Sequence, residues 1–159
     1  MKLDPLDKEI LRELQKDAKQ SSKKLGKKFG KPQTTIVNRI KRLENMGIIK
    51  GYAAIIDAEK IGLGATAFSL IKVKQGPIDV KAGKGAILEA TKNFAKYEEV
   101  NEVYALAGDY DILLKIHGES EKAIGKWLMT EFWKVSSVDK SSTIITFYSE
   151  KDTQNLKII

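Results

Sequence analysis

Between positions 33 and 42 the chain sets Gln33, Thr34, Thr35 and Asn38 ahead of Arg39, Lys41 and Arg42. Amides and hydroxyls of this kind hydrogen-bond the edges of bases, whereas guanidinium and ammonium groups neutralise phosphates. Interleaved with them, Ile36, Val37, Ile40, Leu43 and Met46 recur at steps of three and four. A helix opened near Pro32 and closed by Gly47 therefore turns the polar set outward and buries the apolar one. Two of the polar residues have a second use open to them: Thr35 serves equally well as a packing residue, and Arg39 borders the apolar stripe, within reach of Glu44 or Asp7. Lys50, just beyond, adds a further cation for a phosphate.

A reading helix needs a brace, and the residues upstream supply one. Asp4-Pro5 has the form of an N-cap followed by proline at the first helical position, and Leu3, Leu6, Ile10, Leu14 and Ala18 then mark a helix running to about Asp17. Ser21-Ser22 cap a second, shorter helix with Leu25 and Phe29 on its inner face, and Gly30 ends it. Three short helices with a tight turn between the second and third predict a helix-turn-helix with its third helix in a major groove. Ile48-Ile49-Lys50-Gly51-Tyr52 reads as a strand, serving as a wing or leading out of the module.

The charge distribution agrees. Fourteen of the 28 basic residues and six of the 21 acidic ones lie in the first 52 positions, so this end carries +8 and the other 107 residues carry −1. Lysine runs usually do no more than solvate helix faces, but here they coincide with a helix-turn-helix pattern, and double-stranded DNA becomes the expected partner. Other classes find little support. The chain has no cysteine and one histidine, His117, so thiolate and histidine metal sites are excluded, and His117 reads as a surface histidine at a strand end. No phosphate-binding glycine motif, serine elbow or carboxylate pair appears, so no enzyme activity, metal or cofactor is expected. Apolar runs stay far below the ~20 residues of a membrane span, and no export signal opens the chain, which makes the cytoplasm the expected location.

Beyond a connector at about 53–64 the pattern changes. Strands are expected at about 65–74, 100–106, 110–117 and 141–148, with helices at about 82–96 and around Ile124, Trp127, Leu128 and Phe132. The order βαββαβ predicts a ferredoxin-like fold, two helices on one face of a four-stranded antiparallel sheet. The whole chain is thus α+β: a winged-type helix-turn-helix over 1–52, a linker strand, a ferredoxin-like domain over 65–150 and a tail over 151–159. Ile112, Leu114 and Ile116 face one way on the third strand and Leu113, Lys115 and His117 the other, leaving a sheet face that a second copy would cover. A homodimer with two reading helices suits a pseudo-palindromic operator. The stretch from Gln75 to Gly85 makes a long basic connection, and the tail either frays or docks on a neighbouring subunit.

Leu3-Asp4 through Ile10-Leu11 with Leu14-Gln15, then Arg39 to Glu44, then Gly47 to Tyr52 resemble the N-terminal signature of the Lrp/AsnC family of transcription regulators. Glu102-Val103-Tyr104, Gly108 to Asp111, Val138 and Thr143 resemble its C-terminal domain. The resemblance implies dimers assembled into higher rings, commonly octamers, and an amino acid or similar effector bound where dimers meet. It places that effector against Gly108, Asp109, Tyr110 and Asp111, with Thr143 nearby. Glycine would let a ligand approach backbone N–H groups, a carboxylate would hold an ammonium, and a hydroxyl would donate to a carboxylate. Read without the resemblance, Gly-Asp is an ordinary hairpin turn. Two departures stand out. Lys31 falls where a Ser or Thr cap is usual, and Gly26 replaces a small helix-former, each expected to weaken its helix by about 1 kcal/mol at most. An architectural, nucleoid-like DNA binder of low specificity is the alternative; RNA binding on the open sheet face would require aromatics that the Leu113 face of the third strand lacks.

Overall fold

A computed structural model describes residues 3–74, 85–150 and 156–158. They form two compact units, one made of the residues up to Ile55 with 156–158, the other of Ile56–Glu150.

In the first unit, helix α1 spans Pro5–Lys16. Its start is a reciprocal capping box: the Asp4 carboxylate accepts the Asp7 N–H at 2.9 Å and the Asp7 carboxylate accepts the Asp4 N–H at 3.1 Å. Helix α2 spans Ser22–Phe29, capped by the Ser21 hydroxyl and ended by Gly30 at φ 62°. Helix α3 spans Gln33–Asn45, and Gly47 follows its last turn at φ 66°. Pro32 takes the N-cap position itself, with no side-chain cap. Ile10, Leu25, Ile36 and Leu43 are wholly buried where the three helices meet, with Leu11 beside them.

The turn between α2 and α3 explains Gly26. This glycine is buried, its carbonyl accepts the Lys31 N–H at 2.9 Å, and a Cβ on it would sit 2.7 Å from the Lys31 carbonyl oxygen. The expected helix-propensity cost is therefore the smaller effect, because any other residue here collides with backbone.

The strand expected over Ile48 to Tyr52 is not formed. The N–H groups of Ile48 and Ile49 both donate to the Leu43 carbonyl, at 3.0 and 3.2 Å, and the two side chains pack on the three-helix core. These residues finish the helix C-terminus, and the extended chain beyond them meets no strand edge with which to build a ladder. Tyr52 donates its hydroxyl to Glu44 at 2.8 Å.

In the second unit the described elements are β1 (Ala65–Val73), α4 (Ala86–Phe94), β2 (Val100–Ala105), β3 (Ile112–Gly118), α5 (Glu121–Thr130) and β4 (Val138–Thr146), with the sheet ordered β2-β3-β1-β4 and antiparallel throughout. This is the expected βαββαβ arrangement. Residues 82–84, where α4 was expected to begin, and most of the Gln75 to Gly85 connection lie outside the described residues. Strand β4 begins and ends earlier than expected because buried Val138 pairs with Val73, past a register shift at Lys72/Val73. Ala65, Ala67, Ile71, Ile112, Leu114 and Ile116 line one sheet face, packed with Phe94, Ile124, Trp127 and Phe132. Phe94 and Phe132 stack at 5.2 Å, and Tyr97 meets Trp127 edge-on at 5.4 Å.

The opposite sheet face has a different character. Phe68 lies between Lys115 and Ile144, and Leu70 lies between Leu113 and Ser142. Ile144 is 56% exposed and Tyr104 is 49% exposed, so the helices cover only the other side. Within this apolar face Lys115 is nearly buried and reaches Glu102 at 3.6 Å, and the Tyr104 hydroxyl donates to the same carboxylate. That bond pushes the Tyr104 hydroxyl above its ordinary pKa.

Candidate nucleic-acid interface and ligand region

Helix α3 presents Gln33 and Thr34 in its first turn, Asn38 one turn on, and Lys41 after that, all exposed. Thr35 is half-buried, and Lys50 is exposed beyond the helix. Amide and hydroxyl groups thus lead and a cation follows, the order in which a helix entering a groove meets base edges and then backbone.

Arg39 and Arg42 stand differently. Both reach across to α1, where the Asp7 carboxylate is wholly buried and accepts from both guanidinium groups, from Arg39 at 3.2 Å. Arg39 also pairs with Asp4. The Asp7 N–H and the Arg39 guanidinium hold the Asp4 carboxyl below its ordinary pKa against the opposing effect of desolvation, and the bond to Asp4 in turn raises Arg39. Asp7 and Glu44 are both within reach of Arg39 by sequence. The fold chooses Asp7, adds Asp4, brings in Arg42 as well, and leaves Glu44 to Tyr52.

A second charged contact joins α1 to α2. Nearly buried Glu13 accepts from Lys16 at 2.7 Å and Lys28 at 2.5 Å, and these two bonds hold its carboxyl down at about 2 against an ordinary 4.5. With those lysines engaged, Lys23, Lys24, Lys27, Lys41 and Lys50 remain exposed and form no ion pair among the described residues. The tail also belongs to this unit. The Gln15 amide donates to the Leu156 carbonyl at 3.1 Å and accepts the Leu156 N–H at 2.6 Å, Arg12 donates to the Ile158 carbonyl at 2.9 Å, and Ile158 packs on the three-helix core.

In the second unit, 106–111 is the turn between β2 and β3, closed by Leu106 N–H donating to the Asp111 carbonyl at 2.8 Å. Gly108, at φ 152°, and Asp109 are exposed, and Tyr110 is half-buried. Asp111 is committed to β1: its carboxylate accepts the Val73 N–H at 2.8 Å, its own N–H donates to the Ile71 carbonyl at 2.8 Å, and Lys72 lies 3.8 Å away. Thr143 lies on β4 opposite Ser69 and shares a 3.0 Å hydroxyl–hydroxyl bond with it. The turn and Thr143 thus meet β1 at neighbouring places. His117 bonds the Thr66 hydroxyl through Nδ1 at 3.0 Å.

One shallow cleft in this unit lies elsewhere, between α4 and the connection into β4, lined by Glu89, Asn93, Lys96, Tyr97, Lys134 and 135–137. No local sequence pattern marks these residues, since only tertiary packing brings the two segments together. Among the described residues no cluster of His, Cys, Asp or Glu could hold a metal, and no helix is long and apolar enough to cross a membrane.

A basic helix-turn-helix with an exposed polar reading face, followed by a βαββαβ unit, defines a DNA-binding transcriptional regulator. Residues 3–50 match the model of the winged helix-turn-helix DNA-binding domain, and residues 66–156 match that of the Lrp/AsnC ligand binding domain. The HTH-type transcriptional regulator FL11 of Pyrococcus abyssi is 36% identical over 156 residues, spanning 98% of this chain and 97% of that one. The leucine-responsive regulatory protein of Salmonella typhimurium is 31% identical over 156 residues, spanning 98% and 92%. A Neisseria meningitidis transcriptional regulator solved as an L-Met complex superposes with TM-score 0.85 at 24% identity, covering 98% of this chain and 97% of that one. The chain belongs to the Lrp/AsnC family of transcriptional regulators.

Proposed function

We propose that this regulator reads a specific operator through Gln33, Thr34, Thr35 and Asn38, grips its phosphates through Lys41 and Lys50, and changes its affinity when a small amino-acid effector binds the C-terminal domain. The observation that carries the reading is the α3 face, where hydrogen-bonding groups without fixed charge occupy the leading turns. The effector reading rests on the matched ligand-binding domain and on a relative named for its response to leucine.

Assembly follows from the open sheet face. Phe68, Leu70, Leu113 and Ile144 lose contact with water when a second copy packs on them, and a two-fold dimer presents two α3 helices to a pseudo-palindrome. Higher rings, octamers among them, arise when dimers meet, with Gly108, Asp109, Tyr110, Asp111 and Thr143 supplying one side of an effector site that a neighbouring dimer completes. An effector that favours one assembly shifts operator affinity by no more than its differential affinity for the two.

Light scattering of the purified protein after size exclusion, run with each of the twenty amino acids, tests this. A mass of one or more dimers that changes with one amino acid identifies the effector. A monomer, or a mass indifferent to all twenty, contradicts the sensor reading.

A further inference from the structure

We propose that Asp4 and Asp7 set the DNA specificity of this protein by holding Arg39 and Arg42 away from the phosphate backbone. The inference rests on the DNA-reading role of α3 and extends it.

Arg39 and Arg42 are three residues apart on α3, hence on one flank, beside the exposed reading set. A guanidinium on such a flank is the strongest available phosphate ligand, because it offers forked, permanently charged donors. Each such contact contributes affinity that is indifferent to sequence. In this fold both guanidinium groups are already occupied, with Asp7 taking two and Asp4 one. They are not sealed off, however: the Arg39 side chain is 31% exposed and that of Arg42 46%.

The competition favours the carboxylates. Asp7 is wholly buried and fixed by the capping box, so its position is set before DNA arrives, whereas a phosphate would have to draw an arginine off a desolvated anion and leave that anion unpaired. The cations left for DNA are therefore lysines, compact and strongly hydrated. Sequence-blind binding is weakened while Gln33, Thr34 and Asn38 keep their base contacts, and the ratio of operator to random binding rises.

The test is a salt titration of binding to a random-sequence duplex, comparing wild type with Asp7→Asn and Asp4→Asn, each checked for folding by circular dichroism. Asp7→Asn keeps an oxygen for the Asp4 N–H but removes the negative charge that holds both arginines. Arg39 retains Asp4, whereas Arg42 loses its carboxylate partner and is left with a neutral acceptor. Its log–log salt slope is expected to steepen by about 0.9, a further loss of roughly 3.5-fold in affinity across a fourfold rise in salt. Asp4→Asn retains a good N-cap, so the fold is preserved, and its slope is expected to fall between those of wild type and Asp7→Asn. Glu9→Gln, an exposed α1 position, makes the same change in net charge and is expected to leave the slope at the wild-type value. A folded Asp7→Asn or Asp4→Asn with an unchanged or flatter slope overturns the proposal, as does an equal steepening in Glu9→Gln. A purely structural role would lower affinity at every salt concentration by the folded fraction and leave the slope alone. Wild type that binds no duplex at all overturns the DNA-reading role instead.

Discussion

Glu13 shows how one side chain makes the stability of the N-terminal unit depend on pH. Its carboxyl titrates at about 2 in the fold against an ordinary 4.5, so the stability it contributes is present above about 4.5 and is lost as the pH falls toward 2. Glu13→Gln is expected to lower the melting temperature at neutral pH and to flatten its fall between those two values. A variant with the wild-type pH profile would show that Lys16 and Lys28 contribute nothing through it. Gly26 is the second such position. Gly26→Ala improves helix propensity by about 1 kcal/mol, yet places a methyl 2.7 Å from the Lys31 carbonyl, and is expected to destabilise by about 1–3 kcal/mol in denaturant unfolding. The caps were legible in the chain because Asp4-Pro5, Gly30 and Gly47 act on their nearest neighbours. The constraint on Gly26 was not, since it comes from the backbone of the turn that folds back on it, and Asp7 was legible only as one of two partners within reach of Arg39, its pairing with Arg42 spanning 35 positions.

At the level of elements, α3 carries the proposed reading set, Gln33, Thr34 and Asn38, apart from the arginines that pair with α1. Gln33→Ala and Asn38→Ala are each expected to cost about 1–3 kcal/mol on an operator while leaving binding to random duplex unchanged, as measured by competition. Lys41→Ala is expected to weaken all duplexes together and to reduce the salt slope by about 0.9. A uniform loss for Asn38→Ala would transfer it from reading to positioning. Periodicity was sufficient to foresee α1 to α3 and the βαββαβ order, because each element buries one face at its own period. It misjudged Ile48 and Ile49, whose β-branched, apolar character suits a strand as well as it suits the helix C-terminus they close, and only the Leu43 carbonyl decides between the two. It also moved the start of β4, since Val138 belongs to the sheet only through the irregular pairing with Val73.

For the whole molecule, a charge-rich reading unit is joined to a unit that exposes an apolar sheet face. Ile144→Asp is expected to leave each chain folded, because the residue is mostly exposed in the single chain, and to convert assemblies to monomers by light scattering. An unchanged mass would place the dimer contact elsewhere. The expected effector residues were legible only through family resemblance. In the chain itself Asp111 is occupied with β1 and Thr143 with Ser69, so neither advertises a ligand role by its own contacts. The central claim is that α3 reads sequence. Selection of duplexes from a random pool by the purified protein, repeated with Gln33→Ala, measures this directly. The account predicts enrichment of a motif with two-fold symmetry that loses definition in the variant. Equal recovery of all sequences by wild type would contradict it and mark the protein as an architectural DNA binder.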